Sequence, residues 1–170
     1  MFSPDDTIVA IATPPGRAGL GVVRLSGPRA ESIVQTLLRR DTPLPARQAT
    51  FTKLVDRSIG TRTAAIDQVV VTLFPRPQSY TGEHVVEISA HGSPVLLERI
   101  LKLACAAGAR LAEPGEFTFR AFLNGRIDLV QAEAVADLVD AVTPLQARQA
   151  FDQLEGTITE RIGDVDRQLF

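Results

Sequence analysis

The chain has 170 residues, 45% of them hydrophobic, which is enough for one ordinary domain or for a small domain and part of another. Its net charge of -2 argues against a dedicated nucleic-acid surface, which would normally carry a basic patch. The single cysteine, Cys105, excludes an internal disulfide and a cysteine-based metal site and favours a cytoplasmic protein. There is no signal-peptide pattern and no run of ~18 apolar residues, so we expect no membrane association.

The first predicted elements are two strands around a glycine-rich stretch, ATPPGRAGLGVVRLSG at 12–27. A phosphate-binding loop opens a helix, whose N-terminus supplies free backbone N–H groups. Here the glycines have the order G-x-x-G-x-G and lead into branched residues typical of a strand, and neither lysine, Lys53 or Lys102, follows a glycine. The stretch is therefore predicted to be a tight turn between strands Thr7–Thr13 and Leu20–Ser26, and not a nucleotide loop.

Helices and strands then alternate as far as about residue 118. The predicted strands and helices are Arg29–Arg40 (helix), Ala49–Asp56, Ile66–Phe74 and His84–Ala90 (strands), and a helix through Ala107 that Ser93 caps and Pro94 begins. The strand Ile66–Phe74 is almost continuously apolar, which predicts a central position. The pattern indicates an α+β domain, a mixed β-sheet with packed helices, over 1–118.

Residues 119–170 differ in character, because they are helical and carry 5 basic and 9 acidic side chains against 13 and 11 in 1–118. A polynucleotide partner would thus be held mainly by something outside this chain. Helices are predicted over Glu116–Leu123 and Asp128–Val142, and a capping box at Thr143 and Gln146 begins a third. The apolar residues expected to pack are Val135, Leu138, Val139 and Val142 in the second helix, and in the third a stripe from Ala147 to Leu169. A stripe without a C-cap indicates the beginning of a longer helical domain; self-pairing in a dimer is the alternative.

Few residues are candidates for chemistry. His84 and His91 have no cysteine or acidic partners at ligand spacing, so packing or hydrogen bonding is favoured over a metal site, and no nucleophile motif predicts a catalytic residue. Arg24 and Glu87 stand inside predicted strands, and Arg126 follows the Asn-Gly turn. A carboxylate in a half-buried strand needs a partner or a hydrogen-bonding ligand. Surface charges or a structural ion pair are the simpler interpretation of all three.

Several motifs together resemble the N-terminal part of the MnmE/TrmE family of tRNA modification GTPases, along essentially the whole chain. They are DTIVA at 6–10, TPPGR at 13–17, YTGE at 80–83, HG at 91–92 and, most specifically, PGEFTFRAFLNGRIDL at 114–129. The resemblance implies a folate-binding fold like that of aminomethyltransferases over 1–118, which also forms a homodimer, followed by the truncated beginning of a helical domain over 119–170.

The resemblance also implies the function of the whole protein. Together with a flavin-dependent partner of the MnmG family, it would install an aminomethyl or carboxymethylaminomethyl group on the wobble uridine of tRNA. GTP, magnesium and potassium would bind in a GTPase domain whose motifs are absent from this chain, so the chain is not expected to hydrolyse GTP.

The family's folate contacts map onto Arg24, Glu87 and Arg126; many relatives have lysine at the last position, which keeps the charge but changes the geometry. The implied cofactor is 5-formyltetrahydrofolate or 5,10-methylenetetrahydrofolate. Two other functions remain open from the residues: a stand-alone folate-dependent one-carbon transferase, and an oligomerisation domain without a ligand.

Overall fold

The computed structural model describes residues 6–38, 40, 42–56, 64–157 and 167. The chain forms two compact units, Met1–Pro114 and Gly115–Phe170. The division into a folate-binding domain ending at residue 118 and a helical domain stays a prediction. In the described part of the chain, no helix is long and apolar enough to cross a membrane.

The first unit is a mixed sheet with two helices, which confirms the predicted α+β class. Its elements in chain order are β1 (Ile8–Ile11), β2 (Ala18–Ser26), α1 (Ala30–Leu37), β3 (Thr50–Asp56), β4 (Ala64–Phe74), β5 (Val85–Gly92), α2 (Pro94–Ala106) and β6 (Arg110–Leu111). The strand order is β3-β4-β5-β2-β1-β6, and the described pairs are antiparallel except for the parallel pair β1 and β6. Strands β5 and β2 therefore lie in the middle of the sheet. The likeness to aminomethyltransferases stays a prediction.

The glycine-rich stretch connects β1 to β2 as predicted, and the two strands pair antiparallel. Gly16 has φ 137°, a conformation that residues with a side chain rarely adopt. The chain continues from the glycines into β2, so no helix N-terminus stands behind them to hold a phosphate. The interpretation of this stretch as a turn is confirmed.

The core lies on one face of the sheet, under α1 and α2. Alternate residues of the two middle strands, Val23 and Leu25 in β2 and Val86 and Ile88 in β5, are fully buried. They pack in one cluster with Ile33 and Val34 of α1 and Leu97 and Ile100 of α2. Because side chains alternate along a strand, the residues between them point to the opposite face, which we call the open face.

The structure corrects two expectations in this unit and adds one strand. Strand β4 is second from the edge and not central, and Val70 is exposed because the helices cover only one face. Ser93 stands at the N-cap of α2 but makes no side-chain capping bond there. The two-residue strand β6 was not predicted, since a strand so short has no measurable alternation.

The second unit contains three described helices, α3 (Glu116–Leu123), α4 (Leu129–Asp140) and α5 (Pro144–Leu154). The predicted capping box of Thr143 and Gln146 is confirmed, and Asp128 with Gln131 forms a second one that was not predicted. The predicted apolar face of α4 is wrong at two of its four residues, because Val139 and Val142 are exposed. Val135 and Leu138 are half-buried, and the buried residue of α4 is Ala134.

The prediction of one uninterrupted helix after Thr143 is also wrong at one point. Helix α5 ends at Leu154, and Gly156 follows with φ 89°, which a helix cannot contain. The part of the predicted apolar stripe at 158–166 and 168–170 lies outside the described residues.

Candidate functional site

Arg24 and Glu87 form an ion pair in the middle of the sheet. They are direct cross-strand neighbours of β2 and β5. The Arg24 Nε–H donates to Glu87 Oε1 at 2.8 Å, and Arg24 Nη2 lies 2.7 Å from the same oxygen. Each side chain is 29% exposed. The structure thus brings two of the three predicted site residues into contact, on the open face of the sheet.

One of the two oxygens of the Glu87 carboxylate is not used by the ion pair. Arg24 holds Oε1, while Oε2 accepts no hydrogen bond from any residue that the structure describes. The carboxylate is fixed by its neighbour and also reachable from solvent. It can accept a hydrogen bond from a bound molecule, since an ionised carboxylate has about four lone-pair positions.

Tyr80 lies beside this pair and was not predicted as a site residue. Its ring centroid is 5.6 Å from the Arg24 guanidinium carbon. Tyr80 belongs to the loop between β4 and β5, 56 positions along the chain from Arg24. The only sequence signal was the aromatic residue in the YTGE motif, because nothing local indicates which strand the loop covers.

A second polar group forms near the beginning of β4 and the end of β5. The Asp67 carboxylate accepts hydrogen bonds from the His91 backbone N–H at 2.9 Å and from the Gln68 N–H at 2.8 Å, and it contacts His91 Nδ1 at 2.7 Å. Burial raises the pKa of Asp67, but these bonds outweigh it and hold the pKa below its ordinary value. With Lys53, these residues line an open depression of about 380 Å³. His91 thus has the hydrogen-bonding role that its sequence context favoured.

Arg126 lies in the second unit, and its position relative to the Arg24–Glu87 pair stays a prediction. Its backbone follows the end of α3: the Gly125 N–H donates to the Phe122 carbonyl and the Arg126 N–H to the Ala121 carbonyl, at 3.0 and 2.8 Å. This is the pairing of a Schellman motif, and Gly125 supplies the positive φ of 65° that it requires. The motif presents Arg126 as an exposed side chain, which makes no hydrogen bond or ion pair with the described residues.

The described residues form neither a metal site nor a site for the phosphates of a nucleotide. No group of three or more histidine, cysteine or acidic residues among them is arranged to hold a metal ion. The glycine-rich stretch leads into a strand and has no lysine beside it, so it does not fit the β and γ phosphates of a nucleotide.

Comparison with known families agrees with the motifs found in the sequence. The family model "GTP-binding protein TrmE N-terminus" matches residues 7–126. This chain belongs to the TrmE N-terminal family. The match includes Arg24, Glu87 and Arg126, so all three candidate residues lie inside the TrmE N-terminal domain. The resemblance found in the sequence motifs is thereby confirmed.

Individual relatives agree with the TrmE assignment. Proteins named "tRNA modification GTPase MnmE" are 55% identical over 168 residues in Koribacter versatilis, 49% over 164 in Legionella pneumophila strain Paris, and 48% over 163 in Acinetobacter baumannii strain AYE. These alignments cover 96 to 97% of this chain. The chain spans 35 to 36% of the length of these relatives.

Proposed function

We propose that this chain is the tetrahydrofolate-binding and homodimerising part of a GTPase that modifies the wobble uridine of tRNA. The observation that carries the proposal is the ion pair on the open face. A half-exposed ion pair contributes little to stability, so a pair fixed at the centre of the sheet with one carboxylate oxygen unused is suited to binding a ligand.

The chemistry of Glu87 fits a reduced pterin ring. Such a ring presents a ring N–H and an exocyclic amino group side by side, and Glu87 Oε2, which Arg24 leaves unused, can accept a hydrogen bond from this donor edge. Arg24 keeps the carboxylate oriented, and Arg126 is proposed to add positive charge for the negatively charged glutamate tail of the folate. When bound, 5-formyl- or 5,10-methylenetetrahydrofolate supplies the one-carbon unit, while this chain binds and orients it.

The open face also supports the proposed homodimer. A row of cross-strand partners crosses the sheet in the order Phe51, Val70, Ser89, Val22, next to the row that contains Glu87 and Arg24. Phe51 is 68% exposed, and Val70 is also exposed. Apolar side chains of neighbouring strands exposed on one face are typical of a surface that another protein copy covers.

The remaining activities are proposed for the whole protein. GTP hydrolysis with magnesium and potassium is assigned to parts outside this chain. The tRNA is proposed to be held mainly by those parts or by a flavin-dependent partner of the MnmG family, because this chain has a net charge of -2. The proposed place of action is the cytoplasm.

The test is a pair of calorimetric titrations of the chain with 5-formyltetrahydrofolate and with GTP plus magnesium, together with light scattering. We expect saturable heat with the folate, no heat with GTP, and a mass of twice the 18.3 kDa of one chain. A dimer that binds neither ligand would favour the oligomerisation domain, and binding of GTP would contradict the interpretation of the glycine-rich stretch.

A further inference from the structure

The loop between β4 and β5 holds one aromatic side chain at the surface. Within this loop Ser79 and Thr81 are buried, whereas Tyr80 between them is 37% exposed. The Ser79 hydroxyl donates to the Glu83 carbonyl at 2.5 Å, and the Glu83 N–H donates to Thr81 Oγ1 at 3.3 Å. The two buried hydroxyls therefore fix the loop from inside and leave the tyrosine pointing outward.

The same loop is bonded to the strand that carries Arg24. The buried Ser26 hydroxyl, two residues after Arg24 in β2, donates to Glu83 Oε2 at 2.6 Å. Its oxygen also lies 2.7 Å from Thr81 Oγ1. Since Ser26 has a single hydroxyl proton, Thr81 must be the donor in this second bond. The loop is thus held in a defined position relative to Arg24.

The result is a continuous surface of three different groups. The Tyr80 ring lies over the Arg24 guanidinium, and that guanidinium pairs with the Glu87 carboxylate. A carboxylate recognises the edge of a planar heterocycle through its N–H donors, whereas an aromatic ring packs against its face. A rigid aromatic side chain also loses little conformational entropy when a ligand binds.

We propose that Tyr80 is a ligand-binding residue that packs its ring against the pterin of the folate whose edge Glu87 binds. This inference rests on the proposed function, since it names a further contact of the same ligand. Tyr80 also contacts the Arg24 guanidinium, whose pairing with Glu87 Oε1 leaves Oε2 for the ligand.

The chain offers a direct observation of this contact, because Tyr80 is its only tyrosine. In protein with isotope-labelled tyrosine, all tyrosine ring signals come from this residue. With saturating 5-formyltetrahydrofolate, we expect nuclear Overhauser contacts between these ring protons and protons of the reduced pterin. Their absence at saturation would overturn the proposal.

Two substitutions give an independent measurement. Tyr80→Phe keeps the ring and should bind 5-formyltetrahydrofolate within about twofold of the wild type, whereas Tyr80→Leu should bind about tenfold more weakly, a typical worth of one aromatic contact. Phe151→Leu, a change of an exposed aromatic side chain on α5, is the matched control and should leave the affinity unchanged. Thermal melting checks that each variant is folded.

The outcomes separate the two proposals. If the wild type binds the folate and Tyr80→Leu binds it equally well, the role of Tyr80 is wrong and the proposed function stands. If the wild type gives no heat with the folate, the proposed function fails and the role of Tyr80 fails with it. If Tyr80→Leu does not fold, the tyrosine ring contacts in the wild type decide.

Discussion

The two faces of the sheet in the first unit use the same strands for different purposes. On the covered face, Val23 and Leu25 of β2 meet Val86 and Ile88 of β5, and all four are fully buried under the helices. On the open face, one residue further along each strand, Arg24 and Glu87 are each 29% exposed. The alternation of a strand thus places a stabilising core and a charged site within one residue of each other.

The comparison shows that the middle of one sheet can carry apolar side chains on one face and a charged pair on the other. A polar side chain on the covered face would be buried without a hydrogen-bonding partner, because water and ligands cannot reach that face. The open face can tolerate charge, since a half-exposed ion pair is only partly desolvated. Substitutions on the two faces should therefore affect different quantities, stability on one and ligand binding on the other.

The largest effect on stability is expected from Ile88→Ala on the covered face. Ile88 is fully buried, and removing its branched side chain should lower the free energy of unfolding by about 2–5 kcal/mol. The matched control is the adjacent Ser89→Ala on the open face, which should change it by less than about 1 kcal/mol. Chemical denaturation at one protein concentration measures both. Similar losses in the two variants would contradict the distinction between the faces.

A smaller loss of stability is expected from Asp56→Asn. The Asp56 side chain is fully buried and accepts a hydrogen bond from Arg99 Nε at 2.6 Å, while Arg99 is 38% exposed. The substitution should lower the free energy of unfolding by about 2 kcal/mol, because the buried side chain that faces Arg99 loses its negative charge. Chemical denaturation measures this loss.

Glu87→Gln sharpens this comparison of two ion pairs. It should lower the free energy of unfolding by at most about 1 kcal/mol, since the Arg24–Glu87 pair is partly solvated. Equal costs for Asp56→Asn and Glu87→Gln would mean that the Arg24–Glu87 pair is structural, the interpretation that the sequence alone favoured.

The smallest expected effect on stability concerns acid pH and Asp67. Its folded pKa lies below the ordinary value of 3.8, so its ionised form stabilises the fold above that pH, and this contribution is lost as the pH falls through the folded pKa. The gap in unfolding free energy between the wild type and Asp67→Asn should therefore be smaller at pH 3 than at pH 6. The gap for Asp152→Asn, an exposed carboxylate of α5, should be near zero at both. A pH-independent gap for Asp67→Asn would show that its bonds do not favour the ionised form.

Local features of the fold could be read from the sequence. The glycines before β2 and the box of Thr143 and Gln146 depend on residues a few positions apart, so pattern alone predicted both the hairpin and the helix start. The strand positions of Arg24 and Glu87 were predicted for the same reason, since alternation is a local property. Their contact was not, because it depends on a register between residues 63 positions apart.

The missed features all depend on distant parts of the chain. Tyr80 lies beside Arg24 in a loop that is bonded to Ser26, and no periodicity of the sequence indicates such a bond. In α4 the pattern showed several apolar side chains but could not tell which of them a neighbouring helix covers, and in this unit it is Ala134 that is buried. The Asp67–His91 contact likewise joins two strand ends that only the sheet brings together.

The central claim is that Glu87 binds a ligand and does not serve the fold. It is tested most directly by calorimetric titration of 5-formyltetrahydrofolate into the wild type, Glu87→Gln and Glu98→Gln, with thermal melting of each without ligand. Glu98 is the matched control, an exposed carboxylate paired with Lys102 on α2. We expect Glu87→Gln to bind about ten- to a hundredfold more weakly with little change in melting, and Glu98→Gln to bind like the wild type. Equal affinities of wild type and Glu87→Gln, or a large loss of unliganded stability in Glu87→Gln, would contradict the claim.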